Sequence, residues 1–113
     1  MKYRYTLYKA DGTTEEIGEF KRELSFKDTK KQKGLYSWLE CRTIELLPRD
    51  YYPEADGKNS NVTFFGDEEG RFTQAPIQNR HMKVMIDSRG NIWDVVGNVV
   101  REEKISERAS KSK

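Results

Sequence analysis

Three adjacent acidic residues are the first candidates for chemistry in this sequence. Asp67, Glu68 and Glu69 lie between Gly66 and Gly70, and carboxylate oxygens are the ligands that calcium prefers. The run lacks the D-x-[DN]-x-[DN]-G spacing of a calcium loop, and neighbouring side chains around a tight turn point in different directions. We therefore interpret GDEEG as a solvated turn and not as a metal site.

The only cysteine and the only histidine form a second candidate, a nucleophile with its base. A thiol needs a neighbouring base or a lowered pKa to act as a nucleophile, and no recognised nucleophile motif surrounds Cys41. A free cysteine is more commonly a small apolar filler of the core. His81 alone cannot supply a site of several imidazoles, and GDEEG lacks the lysine of a phosphate-binding loop. The sequence therefore predicts no catalytic residues, no cofactor and no metal.

A basic stretch at residues 21–33 is a candidate contact surface. On a helix, residues 27, 30 and 31 would share a face and could meet a phosphate backbone in a salt-sensitive way. The favoured alternative is the solvent face of an amphipathic helix. The lysines concerned are Lys27, Lys30, Lys31 and Lys33.

Aromatic residues supply the remaining candidates. Tyr51 and Tyr52 precede Pro53 in a predicted loop over 51–60, where exposed rings could anchor a partner; packing back on the body is equally open. Trp93 lies within IWDVV and is predicted to be part of the core, because its alternation places it with Val95.

The elements that position these residues begin with a hairpin. Tyr3, Tyr5 and Leu7 alternate with polar residues, as a half-buried strand does, and Asp11-Gly12 provides a turn before a second strand at 14–20. A capping box at Ser25 to Asp28 predicts a helix over about 26–39, weakened by Gly34.

The second half of the chain predicts more strands. RTIELL (42–47) ends at Pro48, and 62–65 and 71–73 flank GDEEG as a hairpin in which Gly70 takes a positive φ. Asn79 is a plausible N-cap for a short helix to Met85. IWDVVGNVV (92–100) predicts a strand with a bulge or close backbone approach at Gly97.

These elements predict an α+β fold, a mostly antiparallel sheet with one main helix and a short second helix. Residues 1–101 are predicted to form a single domain, and 102–113 a charged flexible tail. The 113 residues suffice for one compact core. No export or membrane-spanning segment is predicted, and a lone cysteine fits a reducing cytoplasm.

Charge is distributed unevenly along the chain. The formal net charge of +2 divides into +3 for 1–39, −4 for 40–75 and +3 for 76–113. A dedicated nucleic-acid binder usually gathers a strong basic excess on one face, although folding could bring the two basic thirds together. An electrostatic role toward a protein partner is equally open.

An ordered set of short motifs resembles a known family. The motifs are DGTTEEI (11–17), TIELLP (43–48), DEEGRF (67–72), P-x-x-N (76–79) and VVGNVV (95–100). Together they resemble an uncharacterised family of small bacterial proteins, found largely in phage, plasmid and other mobile DNA. The resemblance spans about residues 8–100. It implies an accessory protein of a phage or mobile element or its bacterial host, and no catalytic residue.

The hypothesis from the sequence is therefore a small, non-enzymatic cytoplasmic protein that binds and modulates a host macromolecule. The favoured partner is a host protein. The alternative is nucleic-acid binding through 21–33. The sequence leaves the oligomeric state open.

Overall fold

A computed structural model describes residues 2–70 and 77–105 of the chain. The strands in chain order are β1 (Lys2–Tyr8), β2 (Thr14–Phe20), β3 (Ile44–Leu46), β4 (Val62–Asp67), β5 (Met85–Ile86), β6 (Ile92–Trp93) and β7 (Val99–Ile105). One α-helix, α1 (Leu35–Leu39), and a 3-10 turn at Arg49–Tyr51 complete the described elements.

Five strands form the main sheet, in the order β2-β1-β7-β4-β3, and every pairing is antiparallel. The predicted hairpin of residues 2–20 is confirmed as β1 and β2. Its turn uses Gly12 at φ 97°, and the Asp11 carboxylate accepts hydrogen bonds from the amide and the hydroxyl of Thr13. β5 and β6 form a separate two-stranded hairpin.

The sheet has a hydrophobic cluster on each face, as the alternation of side chains along its strands requires. The first-face cluster joins α1 to the sheet and contains Tyr5, Leu7, Leu24, Leu35, Leu39, Phe65 and Val100. The second-face cluster holds the loops against β4 and β7 and contains Leu47, Tyr52, Val62, Phe64, Met82, Val95 and Val99.

The predicted helix over 26–39 is wrong for most of its length, because α1 begins only at Leu35. The backbone at Phe26 and Lys27 passes directly against Gly34, where any side chain would collide with it. The amides of Leu35 and Tyr36 donate to the carbonyls of residues 25 and 26. Gly34 therefore marks a close backbone approach, and the residues before it form a loop.

The predicted short helix from Asn79 to Met85 is also wrong. Asn79 is fully buried, and its side-chain amide donates to the carbonyls of Tyr8 and Gly97 at 3.0 and 2.8 Å. Its Oδ1 accepts the amide of His81. Asn79 thus fastens this segment to the sheet instead of capping a helix.

The predicted strand over 92–100 is divided into two. β6 ends at Trp93, Gly97 at φ 85° redirects the chain, and β7 then continues to Ile105. Residues 102–105 are part of β7 and therefore lie in the main sheet and not in a flexible tail. Glu102 is buried there. Residues 106–113 of the predicted tail lie outside the described residues.

The fold is therefore mainly β, and the α+β prediction with a main helix is wrong. Among the described residues the only α-helix has five residues. The predicted strand 71–73 lies outside the described residues, and β4 instead has β3 and β7 as neighbours. Gly70 does not have a positive φ; a Cβ there would lie 3.0 Å from the carbonyl oxygen of Val96.

Candidate functional site

A cleft opens on the second face of the sheet, between β3, β4 and the chain that follows β6. Its volume is about 190 Å³. The chain folds this way because Gly66 of β4 has no side chain to fill the space over β3, and the Leu47 side chain occupies part of it. The polar and aromatic lining residues are Glu45, Tyr51, Asp67, Glu68, Trp93 and Asp94.

Four of the described residues that line the cleft are acidic: Glu45, Asp67, Glu68 and Asp94. Partial burial raises the pKa of Glu45, and the carboxylates of Glu68 and Asp67 raise it further. Among the described residues, no lysine or arginine forms an ion pair with any of these three acids. Like charges held close together disfavour the ionised form of each other.

Trp93 of β6 lines this cleft, and the carboxylate of Asp87 bonds to both ends of the turn between β5 and β6. The Asp87 carboxylate accepts hydrogen bonds from the amides of Arg89 and Asn91 and from the Trp93 indole, the last at 3.1 Å. These bonds, with that of Trp93 first, lower the pKa of Asp87. The turn also uses Gly90 at φ 83°. The Trp93 indole is thereby hydrogen-bonded to the turn of its own hairpin.

Both faces of this hairpin present apolar side chains to solvent. Ile86 and Ile92 lie directly opposite each other and are 70% and 65% exposed. Trp93, on the other face, is 48% exposed, so the prediction that it belongs to the core is wrong. Its ring lines the cleft because Val95, and not Trp93, packs into the second-face cluster.

The four lysines of the candidate surface lie in the loop before α1 and are all exposed. Lys30 and Lys31 occupy the tip of a tight turn, which is closed by mutual hydrogen bonds between Thr29 and Gln32. The Lys33 ammonium lies 4.3 Å from the centre of the Trp38 ring. Lys27 precedes Asp28, whose carboxylate accepts the Gly34 amide and the Ser37 hydroxyl.

The two tyrosines have different positions. Tyr52 is 3% exposed; its hydroxyl accepts the Phe64 amide at 3.1 Å, and its ring packs edge to face on Phe64. It is a core residue and not an exposed anchor. Tyr51 is half-buried and lines the acidic cleft, so the structure keeps it beside the candidate site.

The structure places Cys41 and His81 in different surroundings. Cys41 packs against the first-face cluster, and burial, followed by the Asp67 carboxylate, raises the pKa of its thiol to about 11. The His81 ring contacts Tyr8, and its Nε2 lies 3.1 Å from the carbonyl oxygen of Thr13. A thiol with a raised pKa is a poor nucleophile at neutral pH.

The acidic turn is organised by hydrogen bonds to its neighbours. The Asp67 carboxylate accepts the Glu69 amide, and the Glu69 carboxylate accepts the Thr43 hydroxyl at 3.3 Å. Across residues 2–70 and 77–105, no group of three or more His, Cys, Asp or Glu side chains could hold a metal ion.

Sequence reasoning missed Glu45 and misassigned Trp93. The period-two pattern of RTIELL places Glu45 and Leu47 on one face of the extended chain, which is the available indication that Glu45 faces the cleft. Nothing local indicated that Trp93 would join Glu45, because β3 and β6 are distant in sequence and do not pair.

Comparisons with known proteins assign no family to this chain. No family model, no curated protein and no solved structure matches the chain. The resemblance to a family of mobile-element proteins stays a prediction. Separately, none of the helices in the described parts of the chain has the length and apolar character needed to cross a bilayer.

Proposed function

We propose that this chain is a small, non-enzymatic accessory protein that binds a protein partner through the hairpin of β5 and β6. Following the resemblance, the proposal places it in a phage or mobile element or its bacterial host, with a host protein as the partner that it modulates. The cytoplasm is the proposed compartment, as the lone Cys41 suggests.

The observation that carries the proposal is the exposure of apolar side chains on a rigid hairpin. A two-stranded hairpin is marginal in water by itself, and this one keeps Ile86, Ile92 and Trp93 in solvent. Exposed apolar patches on a folded protein commonly mark interaction sites, and tryptophan is enriched among residues that dominate binding energy. The bonds to Asp87 limit the entropy that the hairpin loses on binding.

The edges of the main sheet are less suited to binding an added strand. β2 carries Glu15, Glu16 and Glu19, and its pairing with β1 is irregular after Tyr5; charges and bulges discourage strand addition. β3, at the other edge, has three residues. The hairpin is therefore the better binding surface.

Affinity capture with paired variants tests the proposal. Host lysate is passed over the immobilised chain, over an Ile86→Lys/Ile92→Lys variant, and over a Lys30→Glu/Lys31→Glu variant. We expect one protein to be retained by the first and third and lost by the second, because two buried charges at an apolar interface are costly.

Two results would contradict the proposal. One is a retained protein that is unaffected by the Ile86 and Ile92 substitutions. The other is self-association of the wild-type chain in sedimentation velocity that those substitutions abolish, since the face would then join two copies of the chain.

A second candidate is nucleic-acid binding. The observation that favours it is the exposed loop before α1 that carries Lys27, Lys30, Lys31 and Lys33, here called the lysine loop. Lys30 and Lys31 at the tip of an exposed turn can reach a phosphate backbone, and binding of this kind weakens steeply with salt. Titration of a random DNA duplex from about 50 to 200 mM salt, with the Lys30→Glu/Lys31→Glu variant in parallel, tests it. Absence of binding at low salt would remove this candidate.

A further inference from the structure

A groove lies between the segment that follows β2 and the lysine loop. Its volume is about 310 Å³, and clefts that bind ligands occupy roughly 300–1,000 Å³. We call this space the basic groove. Its lining includes Phe20, Lys21, Arg22 and Glu23 from the segment after β2, and Thr29 and Gln32 from the lysine loop.

Basic side chains lie on both sides of the basic groove. Lys21 and Arg22 line it directly, and Lys30 and Lys31 occupy the tip of the turn on its other side. All four are exposed, and none of them forms an ion pair with another described residue. The groove therefore suits a ligand that carries several negative charges.

Two acids accompany these four bases. The Asp28 carboxylate accepts hydrogen bonds from the Gly34 amide and the Ser37 hydroxyl, which hold it within the loop. Glu23 lines the groove, and its charge helps to raise the pKa of the buried Glu102 carboxyl. One lining acid thus faces two lining bases and two more at the tip of the turn, so the groove keeps a basic excess.

An aromatic ring in the lining adds a feature that charge alone does not explain. The Phe20 ring lies 5.9 Å from the Tyr5 ring, centre to centre. It also lies over Gly18, where an added Cβ would be 3.2 Å from its Cζ atom. Phe20 is half-buried and lines the groove. Proteins that bind single-stranded nucleic acid combine a basic groove for the backbone with aromatic rings on which bases stack.

We propose that the basic groove binds a single strand of nucleic acid, with its phosphates against the four basic residues and one base stacked on Phe20. This inference rests on the second candidate function, nucleic-acid binding, and specifies the form of the nucleic acid. The bases of a duplex are held inside the stack, where a side chain cannot reach them without flipping one out. A single strand can place a base in the groove without that cost.

Fluorescence anisotropy with matched oligonucleotides tests the inference. The probe is a single-stranded oligothymidylate of about 12 nucleotides. The controls are a duplex of the same length and a strand of the same length and charge in which abasic sites replace the bases. We expect the single strand to bind at least about fivefold tighter than either control, the lower limit for one base stacked on an aromatic side chain. An oligouridylate strand then distinguishes RNA from DNA.

Variants that remove equal charge locate the site. Lys21→Gln/Lys30→Gln takes one lysine from each side of the groove. It should weaken binding of the single strand by at least about tenfold at ~0.1 M salt and reduce the slope of log K against log salt by about 1.4. Lys58→Gln/Lys83→Gln removes two exposed lysines outside the groove and should change binding by less than about twofold.

Substitution of Phe20 separates stacking from charge. Phe20→Leu should weaken binding of the single strand by about fivefold and leave the salt slope and duplex binding unchanged. Phe20→Tyr keeps an aromatic ring and should bind as wild type does. The abasic strand needs no variant, so it tests stacking even where Phe20→Leu does not fold.

Three results would overturn the inference: equal affinity for the single strand and the duplex, equal affinity for the abasic strand, or equal effects of the two lysine variants. If the duplex binds as tightly as the single strand, nucleic-acid binding stands and only the assignment of single strands is wrong. If no oligonucleotide binds at low salt, the second candidate function fails as well. Protein capture through Ile86 and Ile92 is measured separately and is unaffected by either result.

Discussion

At the scale of single residues, the least expected feature is a buried carboxyl in the main sheet. Glu102 accepts the Tyr5 hydroxyl at 2.6 Å, and that hydroxyl in turn accepts the Leu24 amide. Burial raises the pKa of Glu102, and Glu23 adds to the effect. The Tyr5 hydroxyl therefore links Glu102 of β7 to Leu24 in the loop before α1. Glu102 is costly to ionise because it is buried.

Replacement of Glu102 by glutamine tests the free-energy cost of burying its charge. Glu102→Gln keeps an oxygen for the Tyr5 hydroxyl and removes the charge, so we expect a gain of about 1 kcal/mol at neutral pH. Because the folded-state pKa is raised, the stability that wild-type Glu102 contributes is present below the unfolded pKa and lost as pH rises through the folded pKa.

The difference in the free energy of unfolding between Glu102→Gln and wild type should therefore vanish below about pH 4 and grow above it. Urea unfolding at several pH values measures it, with the exposed Glu54→Gln as control. A Glu102→Gln variant that is less stable than wild type at neutral pH would contradict this account.

Gly34 is a second decisive residue. A methyl group there would overlap the backbone of Phe26 and Lys27, and backbone cannot move aside cheaply. We expect Gly34→Ala to destabilise the fold by about 1–3 kcal/mol, measured by urea unfolding. Gly57→Ala is the matched control, since its added Cβ would lie 3.8 Å from the Glu54 carbonyl oxygen, an ordinary contact. Equal stability of the two variants would show that the loop adapts.

At the scale of elements, the hairpin of β5 and β6 depends on one side chain. Asp87→Ala removes the acceptor of the Arg89 and Asn91 amides and of the Trp93 indole. We expect these two amides to lose protection from hydrogen exchange while the amides of β7 keep theirs. Ser88→Ala, in the same turn, is the control. Unchanged exchange in the Asp87 variant would contradict the proposed rigidity.

A fall in pH should have the same effect on the wild-type hairpin as the Asp87→Ala substitution. Because hydrogen bonds lower the folded-state pKa of Asp87, the order that it gives the hairpin is present above the unfolded pKa, near 3.9. That order is lost as pH falls through the folded value. Hydrogen exchange or the Trp93 indole shift across this range reports it.

The strands were largely predictable from sequence, and the helices were not. Alternation in KYRYTLY and the Asp11-Gly12 turn are local, so they identified β1 and β2. The segment 26–34 has helix-compatible residues, yet its path is set by a contact across Gly34. Asn79 has the residue type of an N-cap, but its partners Tyr8 and Gly97 are distant in sequence.

The candidate site was less predictable than the fold. The acids of GDEEG were identified locally, but Glu45 and Trp93 join them through strand order and the path after β6. Burial of Tyr52 likewise depends on Phe64. Long-range packing of this kind has no local pattern in the sequence.

At the scale of the whole molecule, one buried ion pair fastens the long loop after β3 to the sheet. The Arg101 guanidinium donates two hydrogen bonds to the Asp56 carboxylate, at 3.0 and 2.9 Å, and a third to Glu103. These bonds, with that to Asp56 first, raise the pKa of Arg101. The loop carries Tyr51 to the cleft, so this pair also positions the site.

Removal of Asp56 from this ion pair should lower the free energy of unfolding. Asp56→Ala leaves Arg101 with Glu103 alone, and we expect a loss of about 2 kcal/mol, below the roughly 3–5 kcal/mol of a fully unpaired buried charge. Urea unfolding measures it. Arg101→Met in the Asp56→Ala background should recover part of the loss, because no charge is then left buried. A double variant less stable than Asp56→Ala would contradict this explanation.

The two charged surfaces of the molecule face different directions. The lysine loop leads into α1, which packs on the first face, whereas Leu47 and Val95 of the cleft belong to the second. Substitutions in one surface should therefore leave the other intact, and the protein and nucleic-acid hypotheses can be tested independently.

Site-specific photo-crosslinking tests the central claim most directly. A photoreactive amino acid is placed at Ile92 in one sample and at Lys30 in another, and each is irradiated in host lysate. The hairpin proposal predicts a discrete crosslinked protein at position 92 and none of that species at position 30. The same protein crosslinked from position 30 alone would contradict it.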